Sequence, residues 1–158
     1  MAQRKLSRCG RLATTMTYAR IDLSKTNYNK LEDGTWGFIE YPDVDQLTNI
    51  YRTYCRYKRF KSVMPIFASE YTDPGNELIG YMHENRLVAF SLIKIFDSEN
   101  AECVQFAWDY ANPKLRLGIN SLKHECAVFK QRGYRYLYLG GADEYKKHFD
   151  GFEILGPI

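Results

Sequence analysis

Residues 108–125, WDYANPKLRLGINSLKHE, collect groups that could hold a charged molecule and move a proton beside it. Asp109 follows an aromatic run. A carboxylate buried next to Trp108 would have its pKa raised toward that of a proton acceptor; otherwise it is an exposed polar residue at a strand end. Pro113 breaks the chain, Lys114 and Arg116 add positive charge, and Gly118 stands where a helix should open. A helix N-terminus preceded by such a loop turns the backbone N–H groups near Leu117, Gly118 and Ile119 toward one point, and the helix dipole adds its positive end. Phosphate or pyrophosphate fits there. Glu125, further along the same helix, is a second candidate proton acceptor, or else an exposed side chain or the partner of a basic neighbour. His124 reads as a surface or cap-like residue. N–H groups at the Tyr110–Asn112 break are candidate donors to an oxyanion.

The elements that must position these groups are legible from spacing. "TYARIDL" and "WGFIEY" read as short strands around the turn-rich "SKTNYNKLEDGT". Pro42 with Asp43 or Asp45 opens a helix whose Leu47, Ile50, Tyr51, Tyr54 and Tyr57 form an apolar stripe at three- and four-residue intervals, which reads as core. "LIGYMHE", "LVAFSLIKIF" and "ECVQFAWDY" follow as an antiparallel meander. Ile119, Leu122, Cys126 and Phe129 stripe the next helix, which Gly133 stops. "YRYLYLGG" is a strand, "DEYKKHF" a short helix and "GFEILG" a closing strand. A helix joining two strands over this span makes a crossover, so the pair is parallel. The fold class is α/β (α+β): a mixed, mostly antiparallel sheet with one parallel crossover.

Charge and composition narrow the function. Arg4, Lys5, Arg8 and Arg11 crowd a basic arm over residues 1–15, ahead of a single domain over 16–158. Arg52, Arg56, Lys58, Arg59 and Lys61 form a second cluster without an acid. Such clusters suit a polyanion, through counterion release, or are solvated faces. Cys9, Cys55, Cys103 and Cys126 are scattered, and with the histidines they show no metal-ligand spacing, so free thiols and no metal site are expected. No apolar run approaches the roughly 20 residues of a membrane span, so a cytoplasmic protein without membrane contact is expected.

The order strand, strand, strand, glycine loop, helix, strand, short helix, strand resembles the core of the GNAT superfamily of acyltransferases. Residues 84–140 are similar to the C-terminal half of arginyl- and leucyl-tRNA–protein transferases. The resemblance rests on Tyr110 and Pro113, Leu117-Gly118, Glu125 seven residues after that glycine, Tyr136-x-Tyr138-Leu139-Gly140, and Tyr145-Lys146 beyond. Asn112 stands where that family has Asp. The resemblance implies a V-shaped splay between the strands flanking the helix, with the acyl donor in the V. It implies transfer of an acyl or aminoacyl group to an amine, with no resident cofactor. The donor is aminoacyl-tRNA, with acetyl-CoA as the alternative, and a non-catalytic GNAT-like binding module is the remaining possibility. The acceptor is a protein N-terminus or a small-molecule amine. Asp109, Glu125 and Tyr145 are the expected catalytic residues, Tyr145 giving the leaving group its proton. Tyr110, Asn112, Lys114, Arg116, Leu117, Gly118, Ile119 and Asn120 are the expected donor-binding residues. The basic helix with Tyr51, Tyr54 and Tyr57 would meet tRNA.

Overall fold

A computed structural model describes residues 17–60, 68–141 and 144–157 of the 158-residue chain. The basic arm and Lys61 lie outside the described residues. The described elements are β1 (Thr17–Asp22), β2 (Trp36–Phe38), α1 (Val44–Lys58), α2 (Ala68–Thr72), β3 (Asn76–His83), β4 (Arg86–Ile95), β5 (Asn100–Trp108), α3 (Leu117–Gln131), β6 (Tyr136–Gly141) and β7 (Phe152–Pro157). Single turns of 3₁₀ helix lie at Leu23–Lys25, Pro113–Leu115 and Glu144–His148.

All the strands join one sheet in the order β2-β3-β4-β5-β6-β1-β7. The β3–β4–β5 meander is antiparallel as expected, and β5–β6 is the parallel pair that the α3 crossover demands. The two strands flanking residues 23–35 are not partners. β1 lies between β6 and β7, while β2 lies on the opposite edge against β3. Local spacing had no means of placing β1, because its neighbours come more than a hundred residues later.

The helices cover opposite faces. Asp43 caps α1 by accepting from the Gln46 N–H at 3.2 Å. The buried stripe Leu47, Ile50, Tyr51 and Cys55 then packs on Leu78, Phe90, Leu92 and Ala107. Tyr57 departs from the expected stripe: it is 59% exposed. On the other face Leu117, Leu122, Cys126 and Phe129 of α3 meet Ile21, Ile79, Ala89, Ile93 and Leu137. His124 is fully buried there rather than at the surface. Its Nδ1 accepts from the Leu31 N–H at 2.9 Å, and its ring meets Trp36 edge-on at 4.3 Å, so it fastens the 23–35 segment to α3. Burial pushes its pKa down to about 4, keeping it neutral near pH 7.

The far end of the sheet is held by a clamp around Asp22. Its buried carboxylate accepts from Arg135 at 2.8 and 3.1 Å and from Ser24, and the Arg135 guanidinium holds its pKa well below the usual carboxylate range. Its backbone N–H donates to the Gly151 carbonyl at 2.8 Å.

Candidate functional site

The site begins where β5 and β6 stop pairing. Their parallel ladder covers only Asn100↔Tyr136, Ala101↔Leu137 and Glu102↔Tyr138. From Cys103 onward the two strands part, although β5 continues to Trp108 and β6 to Gly141. The β5 register against β4 shifts between Leu92↔Gln105 and Ile93↔Cys103, leaving Val104 bulged. A bulge adds local twist and bends its strand, which helps β5 turn away from β6. The backbone edge of Cys103–Phe106 that would have faced β6 is left without a ladder partner.

A cavity of about 160 Å³ fills the wedge. Tyr54, Cys103, Val104, Gln105 and Phe106 line one side. Gly118, Ser121, Leu122 and Glu125 of α3 line its floor, with Leu139, Tyr145 and Lys146 opposite. Larger grooves exist, including one of about 700 Å³ between Phe38–Pro42 and Tyr71–Leu78. It lies along the β2–β3 edge of the sheet, away from the place where β5 and β6 part.

Glu125 is the chemical centre of the wedge. It is 3% exposed rather than at the surface, and among the described residues it makes no ion pair. Its Oε2 accepts from the Tyr81 hydroxyl at 2.7 Å, and its Oε1 lies 3.5 Å from the Cys103 thiol. Burial pushes its pKa up to about 7, against the opposing pull of the Tyr81 hydrogen bond. A carboxyl poised there can take or release a proton near neutral pH. Burial and the Glu125 charge push the Cys103 thiol well up, so it stays protonated.

The N-terminus of α3 supplies the positive end. A 3₁₀ turn comes between strand and helix, and Arg116 takes a left-handed conformation at φ 48° to start the helix. The Ile119 and Asn120 N–H groups both donate to the Arg116 carbonyl, so the N–H groups left over are those of Leu117 and Gly118, not three in a row. The Asn120 side chain donates to the Leu115 carbonyl at 2.8 Å and braces the loop. Leu117 is buried and Ile119 packs against the core, while Lys114 and Arg116 are exposed beside the mouth. Asn112 caps the 3₁₀ turn by accepting from the Lys114 N–H.

Gly118 lies in the first turn of α3. A β-carbon added there would meet nothing within 4 Å beyond its chain neighbours and its own helix backbone, and its φ is not positive. The fold around it does not require glycine. Gly118→Ala is therefore expected to raise stability by up to about 1 kcal/mol, through helix propensity. It is expected to weaken donor binding about tenfold by overpacking. Thermal melting and donor titration of the same variant check both signs.

Asp109 and Tyr145, expected together, are not together. The Asp109 carboxylate bonds Arg86 at 2.9 Å and the Ala111 N–H at 2.9 Å. It faces a groove beside the start of α1 that includes Asp43, Asp45 and Asn49. Its use of the Ala111 N–H also removes one donor from the Tyr110–Asn112 break. Tyr145 does reach the wedge, about half exposed. Arg52, Arg56, Lys58 and Arg59 are exposed on α1. Sequence reasoning missed Cys103 and Lys146 as wedge residues and Tyr81 as the hydrogen-bond partner of Glu125. Tyr81 and Cys103 carried a signal only jointly: both fall on the α3-facing side of their strands once the meander register is known.

Among the described residues no group of His, Cys, Asp and Glu could hold a metal ion, and no helix is long and apolar enough to cross a membrane. A family model described as arginine-tRNA-protein transferase, C terminus, matches residues 38–156. No curated protein matches the sequence significantly. Solved structures share the fold at low identity. The C-terminal domain of a protein assigned as a lysylphosphatidylglycerol synthetase from Agrobacterium fabrum aligns with TM-score 0.61 and 14% identity over 87% of this chain. A protein of Novosphingobium aromaticivorans assigned as an acetyltransferase of the GNAT family gives 0.60 and 16% over 90%. N-myristoyltransferase of Saccharomyces cerevisiae with bound myristoyl-CoA gives 0.58 and 12% over 87%. The chain spans 50%, 60% and 46% of those three chains respectively. The sheet order, the crossover and the splay are those of the GNAT fold.

Proposed function

Because the chain belongs to the arginine-tRNA-protein transferase C-terminus family, we propose that it moves an aminoacyl group from aminoacyl-tRNA to an amine, with the β5–β6 wedge as the place of transfer. The observation that carries this reading is a carboxyl with its pKa near 7 on the floor of an open strand wedge, beside a helix N-terminus with free N–H groups.

Transfer to an amine needs a neutral nucleophile, a stabilised oxyanion and a leaving group that gains a proton. Glu125, as carboxylate, takes the proton from the incoming ammonium; Asp109, tied to Arg86, does not face the wedge. The unpaired N–H groups of the β5 edge at Cys103–Phe106 meet the carbonyl oxygen as it becomes negative. The leaving ribose oxygen is protonated by the Tyr145 hydroxyl, which regains a proton from the attacking nitrogen as it becomes an amide, with Lys146 as neighbouring charge. Holding donor and amine together in the V contributes orientation. The Leu117 and Gly118 N–H groups with Lys114 and Arg116 hold donor phosphate.

The N-myristoyltransferase of the same fold holds an acyl-CoA, which keeps an acetyl-CoA donor as the second reading. Radiolabelled transfer to a peptide or protein amine, run in parallel with charged tRNA and with acetyl-CoA, tests both. Label arriving from charged tRNA is the expected result. Label from acetyl-CoA alone would move the protein to the second reading. No transfer from either donor would leave a binding module without chemistry.

A further inference from the structure

We infer that the Trp108–Tyr110–Tyr57 ring column is a stacking platform for the terminal base of the donor's nucleotide. This rests on the transferase reading for the donor, but not on catalysis.

Tyr110 is the strained member of the column. It has φ 57°, a left-handed conformation rare for a bulky aromatic residue, which costs on the order of 1–3 kcal/mol. The conformation places its ring between two others. Trp108 stacks on one side at 4.2 Å and 29°, and Tyr57 on the other at 3.8 Å and 13°. Trp108 is buried, so the column grows out of the core at the end of β5. Tyr57 ends it in solvent. Stacking on Tyr110 covers one face of the Tyr57 ring, and the exposure belongs to the other.

The platform adjoins the wedge. Tyr54, one helical turn before Tyr57, lines the cavity and lies nearly parallel to Tyr110, at 8° and 6.0 Å. A base stacked on Tyr57 is therefore one turn of α1, about 5 Å, from a side chain that lines the site of transfer. The surroundings match a nucleotide in charge as well. Lys58 Nζ lies 5.8 Å from the Tyr110 ring centre. Arg52, Arg56 and Arg59, with Asn49, Thr53 and Phe60, border a groove of about 620 Å³ on the outer side of the helix. Among the described residues none of these arginines pairs with an acid. An exposed planar ring on the same helix as these guanidinium groups suits a base and its phosphate; the base stacks and the arginines take the backbone. The terminal nucleotide of a tRNA and the adenine nucleotide of coenzyme A share this chemistry.

Fluorescence anisotropy with a labelled short single-stranded RNA ending in adenosine, alongside calorimetry with coenzyme A, tests the assignment. Tyr57→Leu keeps apolar bulk and is exposed; circular dichroism verifies its fold. It is expected to weaken RNA binding about 5- to 150-fold, the range of a lost base stack. Tyr57→Trp should restore it, and the slope of affinity against salt should not change, because no phosphate contact is removed. If Tyr57→Leu weakens coenzyme A binding and not RNA binding, the platform stands and its nucleotide belongs to coenzyme A. If the substitution leaves both affinities as in the wild type, or the wild type binds neither probe, the inference is overturned. Binding that depends on Tyr57 without any transfer would keep the platform and remove the transferase reading.

Discussion

Glu125→Gln is expected to slow amine acylation by about 10²- to 10⁴-fold, the usual contribution of a positioned proton acceptor, while making the protein more stable at alkaline pH. The two effects have one origin. Glutamine keeps the size of the side chain and can still accept from the Tyr81 hydroxyl, so the wedge is not emptied. What disappears is a buried charge. The wild-type carboxyl is pushed up to about 7 from an ordinary 4.5. Below pH 4.5 it is protonated whether folded or unfolded, and it contributes no pH-dependent penalty. Between 4.5 and about 7 the unfolded chain releases the proton while the folded one keeps it, so stability falls as pH rises. Above 7 the full cost, about 3 kcal/mol, is present. Melting temperatures measured from pH 4 to pH 9 should show the variant nearly level with the wild type at the acid end. At the alkaline end it should lie higher by about 10 °C. Wild-type activity should rise with pH through about 7 as the carboxylate forms, and the variant should lose that dependence. A variant with unchanged turnover would assign Glu125 to packing alone.

Gly151→Ala is expected to be the most damaging small substitution in the sheet, costing about 3 kcal/mol or more. Gly151 has φ 72°, which costs an L-residue about 1–2 kcal/mol. The greater problem is position. A β-carbon there would sit 2.4 Å from the Asp22 carbonyl oxygen and 3.3 Å from its nitrogen, and these are backbone atoms that cannot rotate away. Relief requires β1 and β7 to separate, which breaks the Asp22 N–H bond to the Gly151 carbonyl. It also disturbs the pair between the buried Asp22 carboxylate and the half-exposed Arg135, which joins β1 to the start of β6. A drop of about 10 °C in melting temperature is the expected reading. A melting temperature as high as that of Gly118→Ala, where the added methyl has open space, would contradict the clamp.

These two positions also show what the sequence could and could not disclose. The meander, the crossover and the helix starts were legible because each is written in local terms: alternation, an Asp cap, a stripe of four apolar residues, a glycine stop. Gly118 and Glu125 could be picked out because they share a helix at fixed spacing. The buried surroundings that raise the pKa of Glu125 could not, since Tyr81 and Cys103 come from two different strands and meet it only when the sheet is assembled. Asp109 failed to join the site for a similar reason. Its partner Arg86 opens the strand antiparallel to its own, and only the β4–β5 register brings them together. The placement of β1 between β6 and β7, and with it the role of Gly151, depends on pairing across most of the chain. The basic and tyrosine-rich helix was read as an apolar stripe with charges beside it. In the fold Tyr57 belongs to neither set, because Tyr110 turns back to meet it.

The central claim is that the donor enters where β5 and β6 part. Amide chemical-shift mapping on isotopically labelled protein, titrated with an aminoacyl-adenosine carrying a stable amide in place of the ester, tests it most directly. The expected perturbations fall on the Leu117 and Gly118 amides, on Cys103–Phe106 and on Leu139. Perturbations confined to the groove between Phe38–Pro42 and Tyr71–Leu78, with the wedge amides unmoved, would contradict it.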